Sequence, residues 1–169
     1  ALGRSEGPVA LALTRQKLPA LDRGEFFSTS TGGLSRGAYV VADPAEGEPD
    51  LIIIATGSEV HLATEAHREL TDRGIKTRVV SMPSWELFEA QDESYRSEIL
   101  PPGIKARVSV EAGSAQGWHR YVGGEGGTLS MESFGASAPA GLLFEKFGFT
   151  VDKIVSKGMA LLKRQGEAT

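Results

Sequence analysis

The fold class of this chain is decided by residues 51–59, LIIIATGSE, in which five apolar residues run directly into a small, polar turn. Two later segments repeat the pattern: residues 78–84, RVVSMPS, and residues 107–113, RVSVEAG. A helix-like stretch follows each of the three. Such runs are typical of strands buried on both faces of a parallel sheet, with their turns gathered at its carboxyl-terminal edge. The sequence therefore predicts an α/β fold.

Two weaker strand patterns, at residues 37–41 and 128–131, bring the predicted strand count to five. With helices between them, residues 37–169 are expected to form a three-layer α/β/α sandwich around a five-stranded, mostly parallel sheet. Thr56 and Glu59 fit a capping box, and helix N-caps are predicted at Ser84, Asp92, Ser114 and Thr150. The helix after Pro139 is expected to turn Leu142, Leu143 and Phe147 inward.

The first 36 residues have a different character. Residues 9–13, VALAL, predict a buried strand that has no sheet of its own in this region. Residues 22–36 are rich in Gly, Ser and Thr, which is typical of a linker. We therefore expect residues 1–21 to be the end of an upstream domain and residues 22–36 to connect it to the domain at 37–169.

Composition excludes several classes of protein. The net charge is −4 with no basic stripe, so nucleic acid is not an expected partner. No apolar run approaches the ~20 residues of a membrane span, and the first residues lack the pattern of a secretion signal. The chain has no Cys, which excludes disulfides and thiolate metal sites and fits a cytoplasmic protein.

Five segments occur together and in order: ALALTRQ at 10–16, IATGSEV at 54–60, RVVSMPS at 78–84, VEAG at 110–113 and FGASAP at 134–139. Together they resemble the C-terminal part of transketolase, over residues 8 to 161. The resemblance implies that the first 21 residues end a pyrimidine-binding domain. It also implies that the strand at 37–41 is the antiparallel one.

Transketolases transfer a two-carbon ketol unit between sugar phosphates, using thiamine diphosphate and a divalent metal such as magnesium or calcium. The resemblance implies a homodimer in which the cofactor lies between domains upstream of this region. The family's Gly-Asp-Gly motif is absent here. We therefore expect no catalytic, cofactor or metal residue in this chain, and no activity from it alone. The alternative is a stand-alone anion- or nucleotide-binding regulatory module or a subunit-association module.

Arg15 is the candidate substrate-binding residue. It follows a predicted strand, at the sheet edge where ligands bind in α/β folds, and its planar guanidinium suits a phosphate. On the sequence alone an ordinary surface arginine is the commoner explanation. The resemblance implies that this arginine contacts the substrate phosphate.

Other candidates have simpler explanations. Residues 56–59 could bind an anion at a helix start, but Glu59 would occupy the same amides, which favours a capping box. Residues 123–127, GGEGG, precede a strand and predict a turn rather than a phosphate loop. Glu111 ends a strand and is expected to be satisfied by loop amides.

The histidines and aromatic residues give no clear functional signal. His61 and His67 are six residues apart, which is wrong for a helical metal pair, and His119 has no evident partner. The larger aromatic side chains are expected in the core or at a subunit contact: Trp118, Tyr121, Phe134, Phe144 and Phe147.

Overall fold

A computed structural model describes residues 7–21 and 31–167, and its centre is one five-stranded sheet. The strands, in chain order, are β1 (Tyr39–Ala42), β2 (Leu51–Ala55), β3 (Thr77–Ser81), β4 (Arg107–Val110) and β5 (Gly127–Leu129). Their order across the sheet is β1-β3-β2-β4-β5. Only β1 is antiparallel to its neighbour, so the predicted five-stranded, mostly parallel sheet is confirmed.

The central strand β2 explains why the sheet is covered on both sides. All five of its residues are buried. Leu51, Ile53 and Ala55 belong to one core cluster, whereas Ile52 and Ile54 belong to a second. Because successive side chains of a strand point to opposite faces, an unbroken apolar run needs a helical layer on each face.

Helices form those two layers. One layer contains α1 (Val60–Asp72), α5 (Ala140–Phe147) and α6 (Val151–Glu167), and the other contains α2 (Trp85–Glu89), α3 (Glu93–Ile99) and α4 (His119–Val122). The predicted three-layer α/β/α sandwich is therefore confirmed. No helix in the described ranges is both long and apolar enough to span a membrane.

Three predicted helix caps are confirmed. Ser84 Oγ accepts a hydrogen bond from the Leu87 amide at 3.3 Å, and Asp92 Oδ1 accepts one from the Tyr95 amide at 2.8 Å. Thr150 Oγ1 accepts one from the amide of residue 153 at 3.3 Å. Each cap satisfies a first-turn amide that the helix itself leaves without an acceptor.

Three local predictions are wrong. Thr56 makes no side-chain cap, and a 3₁₀ turn at Gly57–Glu59 leads into α1. Ser114 accepts from the amide of residue 116 in a turn, while α4 begins only at His119. Leu142 is exposed rather than inward, because α5 meets the core through Phe144 and Phe147 instead.

Residues 7–21 form no strand in the structure, so the buried strand predicted at residues 9–13 is also wrong for this chain. Val9 and Leu11 are exposed, and Leu13 is 82% exposed. A strand forms only against a partner strand, and the described residues offer it none. In the predicted linker, residues 22–30 lie outside the described residues and Thr31–Arg36 is a 3₁₀ helix. The domain boundaries remain predictions.

Candidate functional site

The turns after β2 and β4 meet at the carboxyl-terminal edge of the sheet. Ala55 and Val110 are paired in register, which places Thr56 beside Glu111. Thr56 Oγ1 donates to Glu111 Oε1 at 3.1 Å, and Trp118 Nε1 donates to Glu111 Oε2 at 2.8 Å. Side chains, not the loop amides predicted from the sequence, therefore satisfy this carboxylate.

A second carboxyl group, that of Glu59, lies in the turn after β2. Glu59 is only 4% exposed, and Ser58 Oγ donates to its Oε1 at 2.8 Å. Burial raises the pKa of Glu59, and the nearby Glu111 charge acts in the same direction. The edge thus holds two neighbouring carboxyl groups, one of which is costly to ionise.

This edge is poorly suited to thiamine diphosphate or its metal. A diphosphate would face the carboxyl groups of Glu59 and Glu111, and the Glu59 amide already donates to the Thr56 carbonyl at 3.0 Å. Within residues 7–21 and 31–167, no cluster of three or more His, Asp or Glu side chains could hold a metal ion. The residues present at this edge therefore do not fit the cofactor.

The glycine-rich segment 123–127 forms a turn, as predicted, and connects α4 to β5, whose first residue is Gly127. A Cβ at Gly126 would lie 2.3 Å from the Val122 carbonyl oxygen and 2.7 Å from that of Arg107. Glycine is therefore needed for close backbone packing, and no ligand is required to explain it.

The other candidate residues are dispersed. Arg15 is exposed on segment 7–21, and its role in binding phosphate stays a prediction. His67 is buried on α1, where desolvation lowers its pKa, and His119 is exposed at the start of α4. Phe134, predicted to lie in the core or at a subunit contact, is fully exposed on this chain.

Comparison with known proteins identifies the domain. Residues 37–150 match the family model described as the transketolase-like TK C-terminal domain. The chain belongs to this family. It is 52% identical over 159 residues to transketolase 1 of Escherichia coli, covering 94% of this chain and 23% of that protein. It is 51% identical over 157 residues to transketolase of Aquifex aeolicus, covering 93% of this chain and 22% of that protein.

A solved structure shows the same fold. Transketolase from Pichia stipitis, in complex with sedoheptulose 7-phosphate, has a TM-score of 0.74 and 33% identity, covering 85% of this chain and 20% of that one. The chain therefore spans between a fifth and a quarter of the length of these relatives.

One polar cluster of this transketolase C-terminal domain was not predicted from the sequence. Glu89 Oε2 accepts from Arg96 Nη1 at 3.3 Å and from Arg120 Nη2 at 2.7 Å. These residues come from α2, α3 and α4, up to 31 positions apart. The fold brings these three residues together, and no local sequence motif predicts the cluster.

Proposed function

We propose that this chain is the C-terminal portion of a transketolase, which transfers a two-carbon ketol unit between sugar phosphates. The main support is sequence identity of 51% and 52% to two transketolases, over 157 and 159 residues. These matches are long enough to include part of the segment before residue 37. The sugar phosphate in the related Pichia stipitis structure supports this substrate class. Thiamine diphosphate and magnesium or calcium would be held by upstream domains of the complete enzyme.

The role of this domain in that enzyme is structural and in assembly. Residues 133–144, SFGASAPAGLLF, contain no charged residue, although a quarter of the chain is charged. Phe134 is 99% exposed and Leu142 is 60% exposed. An uncharged, exposed surface with such side chains is typical of an interface. We assign it to contact with the upstream domains of the same enzyme, within a homodimer located in the cytoplasm.

Arg15 is the one substrate contact that we assign to this chain. Its exposed guanidinium is available to an incoming phosphate. The neighbouring Leu11 and Leu13 are also exposed, as expected for a segment that pairs with a sheet of the upstream domain. The chain supplies no catalytic, cofactor or metal residue in this proposal.

A chimaera tests the function directly. The matching segment of the Escherichia coli enzyme is replaced by this chain, and ketol transfer from a ketose phosphate to an aldose phosphate is measured. We expect activity in the chimaera and none in the same enzyme truncated before the segment. A folded chimaera that binds thiamine diphosphate but transfers no ketol unit would contradict the proposal.

The alternative of an anion-binding module with its site at the sheet edge is disfavoured. The turn that would cradle the anion contains buried Glu59 and adjoins Glu111. The Glu111 charge would repel the ligand, and the buried Glu59 carboxyl already occupies the turn.

A further inference from the structure

A cavity of about 270 Å³ lies on the helical layer formed by α2, α3 and α4, beside the first residue of β4, and opens to solvent. Its polar lining contains three guanidinium groups, two carboxylates and one phenol, contributed by Arg96, Arg107, Arg120, Glu89, Glu93 and Tyr121. Three cations against two anions leave the cavity with an excess positive charge.

One buried donor in this cavity has no acceptor, and a second buried donor faces only Glu89. The buried Nε of Arg96 makes no hydrogen bond, and the hydroxyl of Tyr121, a residue only 3% exposed, faces the Glu89 carboxylate as its one acceptor within the cavity. Burial, reinforced by the Glu89 carboxylate, raises the pKa of Tyr121 to about 12. The phenol therefore keeps its proton at neutral pH and remains a donor. Buried donors without acceptors are costly, so an acceptor-rich ligand would be favoured here.

The guanidinium of Arg107 is fixed in place. It donates to the carbonyls of Ile104, Tyr121 and Pro101, each at 2.8 Å, and to that of Leu100 at 3.4 Å. These partners are neutral, and desolvation lowers the pKa of Arg107. Backbone carbonyl dipoles thus hold the positive charge of Arg107 at the cavity. An anion could neutralise this charge without breaking the hydrogen bonds to the carbonyls.

The remaining two cations are held by a single carboxylate. Glu89 Oε2 accepts from both Arg96 and Arg120, so one anionic oxygen serves two guanidinium groups. This sharing orients both arginines and leaves donors free on each. Glu89 and Glu93 also repel an entering anion, which sets an upper limit on its affinity.

We propose that this cavity binds a phosphate-sized oxyanion, either free phosphate or the phosphate group of a small metabolite. The Tyr121 hydroxyl and the Arg96 Nε would donate to its oxygens, with Arg107 and Arg120 supplying charge. The volume lies just below the ~300 Å³ at which ligand pockets commonly begin, which restricts the ligand to a small one. The site is independent of the proposed transketolase activity.

The test is a titration of the 169-residue chain with inorganic phosphate. Binding is monitored through the chemical shifts of the backbone amides in NMR spectra. Sodium chloride at matched ionic strength is the salt control, and glycerol 3-phosphate is the second ligand. We expect saturable shifts around residues 89–121 with a dissociation constant of about 1 mM or tighter. Tighter binding of the ester would identify a phosphorylated metabolite as the source, and equal binding would identify free phosphate.

Two variants and two controls decide whether the cavity is the site. Tyr121→Phe and Arg120→Gln should each weaken phosphate binding about tenfold or more, as expected for losing a hydrogen bond to a charged ligand. Tyr95→Phe, which loses a hydroxyl bonded to the Ala38 carbonyl, and Arg73→Gln, which loses an exposed ion pair, should bind as the parent chain does.

A purely structural ion cluster gives a different result. Tyr121→Phe would then leave the phosphate response unchanged, because the hydroxyl would interact only with Glu89 and not with phosphate. Equal binding by this variant and the parent, or the absence of saturable shifts up to about 10 mM phosphate, would overturn the proposal.

Discussion

Replacing Glu111 with alanine should lower the free energy of unfolding of the domain, because two side-chain hydrogen bonds are lost. The change removes the acceptor of Trp118 Nε1, which belongs to a side chain with 0% exposure, and that of the half-buried Thr56 hydroxyl. Stranding a buried donor costs about 1–3 kcal/mol, and losing the second bond adds about 1 kcal/mol, so we expect a loss of about 2–4 kcal/mol. That is a large part of the 5–15 kcal/mol typical of a domain.

Urea denaturation at pH 7, followed by tryptophan fluorescence, measures this loss. Glu111→Gln is the matched control: its amide oxygen still accepts from Trp118, and the Thr56 hydroxyl can rotate to accept from its amide nitrogen. It should cost no more than about 1 kcal/mol. In a Trp118→Phe background, Glu111→Ala should cost less than it does in the parent chain. A Glu111→Ala variant within about 0.5 kcal/mol of the parent would refute the structural role of this carboxylate.

Three further predictions concern single side chains. In the active chimaera, Arg15→Ala should lower kcat/KM for phosphorylated substrates about ten- to a hundredfold, mainly through KM, and affect unphosphorylated analogues much less. Glu59→Gln should raise the unfolding free energy at pH 7, because the raised pKa of Glu59 makes the parent lose stability as the pH rises above 4.5 and through the folded-state pKa. Gly158→Ala on α6 should cost up to about 2 kcal/mol, since the new Cβ would lie 2.6 Å from Leu51 Cδ2 and overpacking outweighs the better helix propensity.

Each of these changes has a matched control. Arg15→Lys should fall between alanine and the parent, because it keeps the charge without the two-pronged geometry, and equal losses on both substrate types would contradict a phosphate contact. Glu65→Gln, on the exposed side of α1, should leave the unfolding free energy at pH 7 within about 0.5 kcal/mol of the parent's. If stability fell as steeply with pH in Glu59→Gln as in the parent, the Glu59 carboxyl would not be the cause of the fall. Gly166→Ala, with no atom within 4 Å of its Cβ, should be neutral or stabilising; a Gly158→Ala variant as stable as Gly166→Ala would show that the core yields freely.

Predictions from the sequence succeeded where the residues of one short segment determine the local structure by themselves. Residues 51–55 are apolar without a break, which requires cover on both faces, and the structure provides it through two separate core clusters. Ser84 and Asp92 were likewise predictable as caps, because a cap binds an amide only three residues away.

Sequence reasoning failed where a distant residue competes for the same group. Thr56 looked like a cap, but its hydroxyl bonds to Glu111, 55 residues away, and that partner is visible only once β2 and β4 are paired. The strand predicted at residues 9–13 fails for a related reason, since its apolar pattern is suited to a sheet that these residues do not contain. The first error comes from tertiary context overriding a sound local pattern, and the second from a local pattern that lacks the partner strand it needs.

The charge pattern along β4 separates two regions of the domain. Glu111 follows its last residue, whereas Arg107 begins it beside the arginine-lined cavity, so the acidic edge and the cavity lie about 13 Å apart along the strand. An anion is therefore disfavoured at the carboxyl-terminal edge, where ligands of α/β folds usually bind, and favoured at the opposite end. The uncharged segment 133–144, exposed at Phe134 and Leu142, follows β5 on the side of that same carboxyl-terminal edge. An oxyanion in the cavity would thus leave the uncharged segment 133–144 free. Upstream domains could therefore cover this segment while the oxyanion occupies the cavity.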